Sequence, residues 1–205
     1  LLGELAVTPV HDIPNRVART RSVQVGWASL PPKDRERRLR PLLDAMEGRS
    51  REIEDNIVAE TGKPRAEAIL EVAAAADHLQ YHLKNTSAFL RPLKVPMGWM
   101  AWKRGFVQRE PLGVVGVISP WNYPFILSFT PVVTALFGGN GVVLKPSEHT
   151  PYSGLLVEDL ARDAGLPEGL VQVLVGRGDT GEALVRGGLD KIFFTGGPST
   201  GRAVL

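Results

Sequence analysis

Leu112-Gly113-Val114-Val115-Gly116-Val117-Ile118-Ser119-Pro120-Trp121-Asn122-Tyr123-Pro124-Phe125 is the stretch that decides how the rest of the chain reads. Val114 to Ile118 form a short apolar, β-branched run with one glycine inside it. Such a run fits a strand buried on both faces, as in a parallel sheet, better than the alternation of a half-exposed strand. Ser119-Pro120 is expected to stop the strand, because proline brings no amide hydrogen to a ladder. Trp121 and Asn122 follow between Pro120 and Pro124, where a strand's carboxyl end hands over to a crossover helix. In open α/β sheets that edge is where ligands bind. The stretch alone leaves two readings open. One is a rigid site with an indole wall and an amide donor; the other is a packed tryptophan beside a turn-forming asparagine.

Runs of the same kind recur downstream at Val142–Leu144, Val171–Val175 and Lys191–Phe194. Helical segments at 125–137, 152–163 and 180–186 separate them. Strand and helix alternating at this spacing call for a parallel sheet with right-handed crossovers, a doubly wound α/β layer. Pro131 falls inside the first crossover helix and blurs its boundary without changing the period.

Upstream, residues 1–30 are weakly patterned, and the chain turns helical from Lys33. Leu39, Leu42, Leu43 and Met46 fall at i, i+3, i+4 and i+7, with Pro41 expected to kink the run or mark a short first turn. The charges of 33–40 alternate in sign and read as a solvated helix face. Ser50 is the expected N-cap of a second helix, which Gly62 closes at its C′ position before Pro64. A third helix is expected from about Ala66 into the eighties, with Ile69, Val72, Ala73, Ala76, Leu79 and Leu83 facing inward. His78 and His82 stand one turn apart, at metal-ligand spacing, but no third ligand lies near them and no metal site is expected. Between 93 and 110, aromatic and basic residues around Pro96 and Gly98 read as a hairpin. Packing within the chain is the plainer expectation for its aromatics, and a subunit contact the alternative. The chain thus divides into a helical segment over 1–92, a hairpin segment over 93–111 and a Rossmann-like part over 112–205.

A chain of 205 residues can bury a sizeable core without crosslinks. A formal charge of +2 offers no case for nucleic acid or a membrane surface. The absence of cysteine excludes disulfides, thiolate metal sites and a cysteine nucleophile within these residues, and fits a cytoplasmic protein. The longest apolar stretch, 131–144, is broken by Gly138-Gly139-Asn140-Gly141 and is too short to span a bilayer. Ser199 to Leu205 begin a helix-like pattern that stops, so the chain reads as a fragment.

Four loops at strand carboxyl ends hold the polar residues. Trp121-Asn122 is the first. In the second, Lys145-Pro146-Ser147-Glu148, a lysine can donate to ribose hydroxyls or phosphate. Its glutamate can accept from a ribose diol and repel a 2′-phosphate, although an exposed Lys/Glu pair without a role has the same appearance. The third, Gly176-Arg177-Gly178-Asp179-Thr180-Gly181, is a GxGxxG between a strand and a helix, a context that favours dinucleotides. It follows the third strand rather than the first, lacks the acid about 20 residues on, and Asp179 is a candidate helix cap. The fourth, Thr195-Gly196-Gly197-Pro198-Ser199-Thr200-Gly201, opens a helix and could seat a pyrophosphate.

Taken together and in order, these loops resemble the aldehyde dehydrogenase superfamily. The likeness rests on Pro120-Trp121-Asn122-Tyr123-Pro124, on Gly139-Asn140-Gly141-Val142-Val143-Leu144-Lys145-Pro146-Ser147-Glu148, on Ala164-Gly165-Leu166-Pro167 and on Phe193-Phe194-Thr195-Gly196. Thr61-Gly62-Lys63-Pro64 resembles a shorter family motif upstream. Among subfamilies the likeness is nearest the succinate-semialdehyde type.

The resemblance implies a Rossmann-type parallel sheet with an N-terminal helical segment and a β-hairpin. It also implies NAD(P)⁺-dependent oxidation of an aldehyde to a carboxylic acid through a cysteine thiohemiacetal and thioester. NAD is the expected cofactor, with NADP possible. A homodimer or homotetramer acting on a small-molecule aldehyde, without nucleic acid or membrane, is the expected assembly. Carried over by residue, Asn122 would be the side-chain donor of an oxyanion hole. Trp121 would line the cleft, Lys145 and Glu148 would hold the adenosine ribose, and Gly178 and Gly181 would shape the adenine side. Gly196 and Gly197 would face the pyrophosphate, with Ile118, Pro120, Asn122, Pro146, Ser147 and Thr195 completing the cofactor wall. Two departures stand out. The family usually has serine where Gly197 stands, and its catalytic glutamate and cysteine lie beyond these residues. A truncated, non-catalytic dinucleotide-binding or assembly module is therefore the alternative.

Overall fold

The computed structural model describes residues 3–100 and 102–204. Its organising element is the predicted strand β3 (Val114–Ile118), buried at its first four positions. β3 pairs in parallel with β4 (Gly141–Lys145) on one side and β6 (Lys191–Phe194) on the other, and β4 pairs in parallel with β5 (Val171–Val173). The sheet order is β5-β4-β3-β6. The chain therefore steps outward twice and then crosses back over β3. That reversal opens a crevice at the strands' carboxyl ends, the position doubly wound sheets use for ligands.

Alternate strand residues feed two cores. Val115, Val117, Val142, Leu144, Val171 and Val173 join the larger cluster beneath helices α6 (Ile126–Phe137) and α7 (Pro151–Asp163). Val114 and Val143 join the smaller one with Ile13 and Val17 of α1 (Ile13–Ala28) and Leu184 of α8 (Gly178–Val185). Both faces are covered, as an unbroken apolar run requires. Helices α2 (Pro32–Leu39), α3 (Pro41–Gly48), α4 (Ser50–Thr61) and α5 (Arg65–Phe89) form a further layer against α6 and α7. The last described helix is α9 (Pro198–Val204). No described helix is long and apolar enough to cross a membrane.

Four expectations are corrected. Residues 13–28 form a full helix, although the sequence pattern there is weak, because α1 buries Thr20 and Gln24 beside Ile13, Val17 and Trp27. These polar groups are paired. Gln172 Nε2 donates to Thr20 Oγ1 at 2.7 Å, Gln24 Nε2 to the Gly139 carbonyl at 2.9 Å, and Trp27 Nε1 to the Leu136 carbonyl at 2.8 Å. Ser50 is the first residue of α4 rather than its cap. The N-cap is Arg49, whose guanidinium binds Glu52 and reaches Asp163 of α7 at 2.8 Å. In α5, Ile69 and Ala73 point outward while Glu71 is buried with Ala68, Val72, Ala75, Leu79 and Leu83. Lastly, the hairpin of β1 (Leu93–Val95) and β2 (Gly105–Val107) does not tuck its aromatics into the chain. Trp99 is 81% exposed and Trp102 71%, in edge-to-face contact with each other.

Other expectations hold. Pro41 starts a separate helix, and Gly62 closes α4 with φ of +71°, a conformation open to glycine. His78 and His82 serve the packing of α5 on α6. Each places Nε2 near Thr134 Oγ1, at 3.1 and 3.3 Å, and His82 stacks on Phe137. Burial holds both imidazoles below the usual histidine value, and the charge of His78 adds to this for His82. The unfolded chain then binds more protons below pH about 6.5, so this contribution to stability is present above that pH and lost beneath it. The urea midpoint is expected to fall between pH 7.5 and 5.5, and less steeply in the H78Q/H82Q variant. Equal slopes in both proteins would contradict the assignment.

Candidate functional site

The crevice at the sheet's carboxyl edge holds a cavity of about 870 Å³. It is built from the four loops singled out in the sequence. After β3, Ile118, Pro120 and Trp121 form one wall, with the indole 59% exposed. The strand ends at Ile118 as expected, and the Ser119 amide makes one last bond to the Lys145 carbonyl at 3.2 Å before Pro120. Ser119 Oγ and Ser128 Oγ then pair at 2.7 Å in the interior, and Ser128 Oγ also bonds the Pro124 carbonyl at 2.6 Å. These bonds tie the prolines' loop to the start of α6.

Asn122 lies just beyond that wall. It is exposed and outside the cavity lining, and its backbone carbonyl accepts from Lys63 Nζ at 2.9 Å. The same ammonium meets Glu71 Oε2 at 2.9 Å and sits 4.2 Å from the Tyr123 ring centroid. Glu71 Oε1 accepts the amides of Phe125 and Ile126 at 2.9 and 3.1 Å. The sequence pattern concealed both residues. Lys63 reads as part of a helix stop, and Glu71 as one more charge on a helix. The available signal was its phase: an acid at the inward position between Ala68 and Ala75.

After β4, Lys145, Ser147 and Glu148 line the cavity, while Pro146 is buried under α7. There a Cβ on Gly154 would stand 2.4 Å from Pro146 Cγ, so α7 needs glycine to approach. Lys145 is 5% exposed and its Nζ lies 3.4 Å from Glu148 Oε2. Burial works to raise the Glu148 pKa, but a backbone hydrogen bond and Lys145 outweigh it and hold the carboxylate below its usual value. Glu148 is therefore an anion at neutral pH, and its oxygens accept.

Loop three brings Arg177, Gly178, Gly181 and Glu182 to the cavity. A Cβ on Gly176 would stand 1.9 Å from Thr180 Oγ1, which is why the turn requires glycine there. Arg177, not Asp179, is the N-cap of α8; Asp179 lies in the helix's first turn. Loop four adds Thr195, Gly196 and Gly197, and the Thr195 amide is fixed on the Ile118 carbonyl at 3.0 Å. Phe194 packs beneath Gly196, whereas a Cβ on Gly197 would meet open space. All the cofactor-wall candidates apart from Asn122 and Pro146 thus line one cavity. Arg177, Glu182, Arg186, Ser199 and Thr200 line it as well, and the sequence reading had given none of them a role of its own. Arg186 is paired with Glu182 at 2.9 Å, which leaves Arg177 without a carboxylate partner among the described residues. The cavity therefore offers a Lys145/Glu148 pair at one place and a cation beside glycine-rich turns at another. That is a donor set for a diol and an anion on one ligand.

Known proteins share this chain's sequence and fold. The family model described as the aldehyde dehydrogenase family matches residues 2–205. A 4,4'-diapolycopene aldehyde oxidase of Methylomonas sp is 41% identical over 208 residues, covering 100% of this chain and 39% of that protein. A protein assigned as a succinate-semialdehyde dehydrogenase [NADP(+)] of Mycolicibacterium smegmatis is 36% identical over 98% of this chain and 40% of its own length. The second of these relatives carries the succinate-semialdehyde name that the sequence resemblance pointed to. The crystal structure of PnpE in complex with nicotinamide adenine dinucleotide superposes with a TM-score of 0.92 at 34% identity, over 100% of this chain and 42% of that one. The chain spans about two fifths of the length of the curated relatives it matches. With its four loops, its strand order and this match along nearly every residue, the chain belongs to the aldehyde dehydrogenase family.

Proposed function

We propose that this chain is the dinucleotide-binding part of an enzyme that oxidises an aldehyde to a carboxylic acid with NAD⁺. The observation that carries the reading is the single cavity at the carboxyl edge, where Lys145, Glu148, Trp121 and the glycine-rich turns converge. Its volume and donor set suit a dinucleotide, and the open space at Gly197 leaves backbone accessible to a phosphate. In this reading Lys145 and Glu148 hold the adenosine ribose and Gly178 with Gly181 border the adenine. Gly196 and Gly197 face the pyrophosphate, and Arg177 adds positive charge nearby. The nicotinamide of the bound cofactor would accept the hydride.

Asn122 takes the oxyanion role. Its carboxamide is free of the cavity wall, and an N–H aimed at the charge that develops on the aldehyde oxygen contributes roughly 3 kcal/mol to transition-state stabilisation. The 205 residues hold no cysteine, so the thiolate that attacks the aldehyde comes from outside them, and by the family resemblance the glutamate that activates water against the thioester does so as well. A cytoplasmic homodimer or homotetramer accompanies this reading, with the exposed Trp99 and Trp102 as the contact.

Aldehyde-dependent NADH formation by the full-length protein is the test. Turnover should be abolished by thiol alkylation, and Asn122→Ala should lower kcat by about 10²-fold or more with little change in KM for NAD⁺. A full-length protein without thiol-sensitive turnover would contradict the activity, and an unchanged kcat in the variant would remove Asn122 from its role. Cofactor choice is a separate test. Because Glu148 is charged at neutral pH, Glu148→Gln should raise kcat/KM for NADP⁺ relative to NAD⁺ by about tenfold. An unchanged ratio would mean that Glu148 does not face the 2′ position.

A further inference from the structure

The loop that carries Asn122 is gripped from the helical layer. Lys63 leaves the end of α4 with its side chain only 9% exposed, and Glu71 on α5 is 0% exposed. Between them they hold both kinds of backbone group in one short segment. The Lys63 ammonium donates to the Asn122 carbonyl at 2.9 Å, and Glu71 accepts the Phe125 and Ile126 amides at 2.9 and 3.1 Å. The ion pair itself closes at 2.9 Å, and the Tyr123 ring lies 4.2 Å from the same ammonium.

The chemistry explains the strength of this grip. The first amides of a helix have no partners inside it, and a carboxylate placed there meets both the free N–H groups and the positive end of the helix dipole. Glu71 satisfies two such groups, the N-cap amide of Phe125 and the first amide of α6 at Ile126, and leaves its second oxygen for Lys63. Lysine has three donors, and this geometry directs them to a carboxylate, a carbonyl and an aromatic face. Trp121, 59% exposed, and Tyr123, 46% exposed, gain little from burial, so ahead of the buried Phe125 these polar contacts help fix the course of the segment.

We infer that Lys63 and Glu71 form a positioning pair for the reaction proposed above. The pair sets the backbone of Asn122, and through it the aim of the carboxamide, while touching neither aldehyde nor dinucleotide. The inference rests on that functional reading. A pair kept only for stability behaves differently, because replacing both members of a buried ion pair by neutral groups is often harmless, whereas removing one strands a charge.

The test uses the full-length protein with Lys63→Met and the double variant K63M/E71Q, in which glutamine can still accept the α6 amides. Melting temperature, steady-state kinetics and hydrogen exchange over 121–126 are measured together. Lys63→Met should lower the melting temperature and reduce kcat by about tenfold or more, with KM for NAD⁺ within about twofold. The double variant should regain most of the melting temperature yet keep the kcat loss, and exchange over 121–126 should be faster in both. Recovery of kcat together with the melting temperature would overturn the inference, as would unchanged exchange over 121–126. If Lys63→Met does not fold, the double variant carries the same comparison. Should the wild-type protein show no aldehyde turnover, the proposed function fails and the positioning role with it. Faster exchange confined to 121–126 then upholds only the pair's hold on the loop, and exchange unchanged overturns that as well.

Discussion

Two helices of the sheet layer begin without caps of their own, and the helical layer supplies both. The N-cap position of α6 is Phe125, which has no acceptor to offer. That of α7 is Thr150, whose buried hydroxyl finds no partner among the described residues. Glu71 takes the first amides of α6, and Glu60 takes those of Tyr152 and Ser153 in α7 at 2.7 and 2.9 Å. Leaving such amides buried and unpaired costs about 1–3 kcal/mol each. The two carboxylates thus tie the helices α4 and α5 to the crossover helices that follow β3 and β4. Burial raises the Glu60 pKa, with the α7 hydrogen bonds opposing it. Each contact also sits directly after a loop of the candidate site, so the docking of the layers and the shape of the cavity's rim are one problem.

What the sequence made visible follows from this construction. A doubly covered parallel sheet needs unbroken apolar runs, and Val114–Ile118 announced β3 without ambiguity. Loops at strand ends break the apolar pattern of the strands, so their lysine, glutamate and glycines stood out by type and order. The hidden parts are those where polar groups do structural work inside. The helix α1 presents Thr20 and Gln24 inward because Gln172 and the Gly139 carbonyl need partners, and this erases its apolar stripe. Glu71 occupies a core phase of α5 because α6 needs an acceptor, so counting apolar residues turns the helix to the wrong face. Both errors have one cause: periodicity detects burial only where burial is apolar.

The site shows the same division. Residues that face the cavity do so from strand ends fixed by ladder hydrogen bonds, such as the Thr195 amide on the Ile118 carbonyl. Their convergence follows from strand order alone. Pro146 belongs instead to the contact with Gly154, a role set by helix packing rather than by loop chemistry. Asn122 stands between the two classes, on a loop whose course depends on a lysine 59 residues earlier.

The central claim is that this sheet edge is a dinucleotide site of defined polarity. A crystal structure with NAD⁺ bound tests it most directly. The expected result places the adenosine ribose hydroxyls within hydrogen-bond distance of Lys145 Nζ and the Glu148 carboxylate, with the pyrophosphate beside Gly196 and Gly197. A dinucleotide bound outside this cavity, or inside it with the adenosine away from Lys145 and Glu148, would contradict the account.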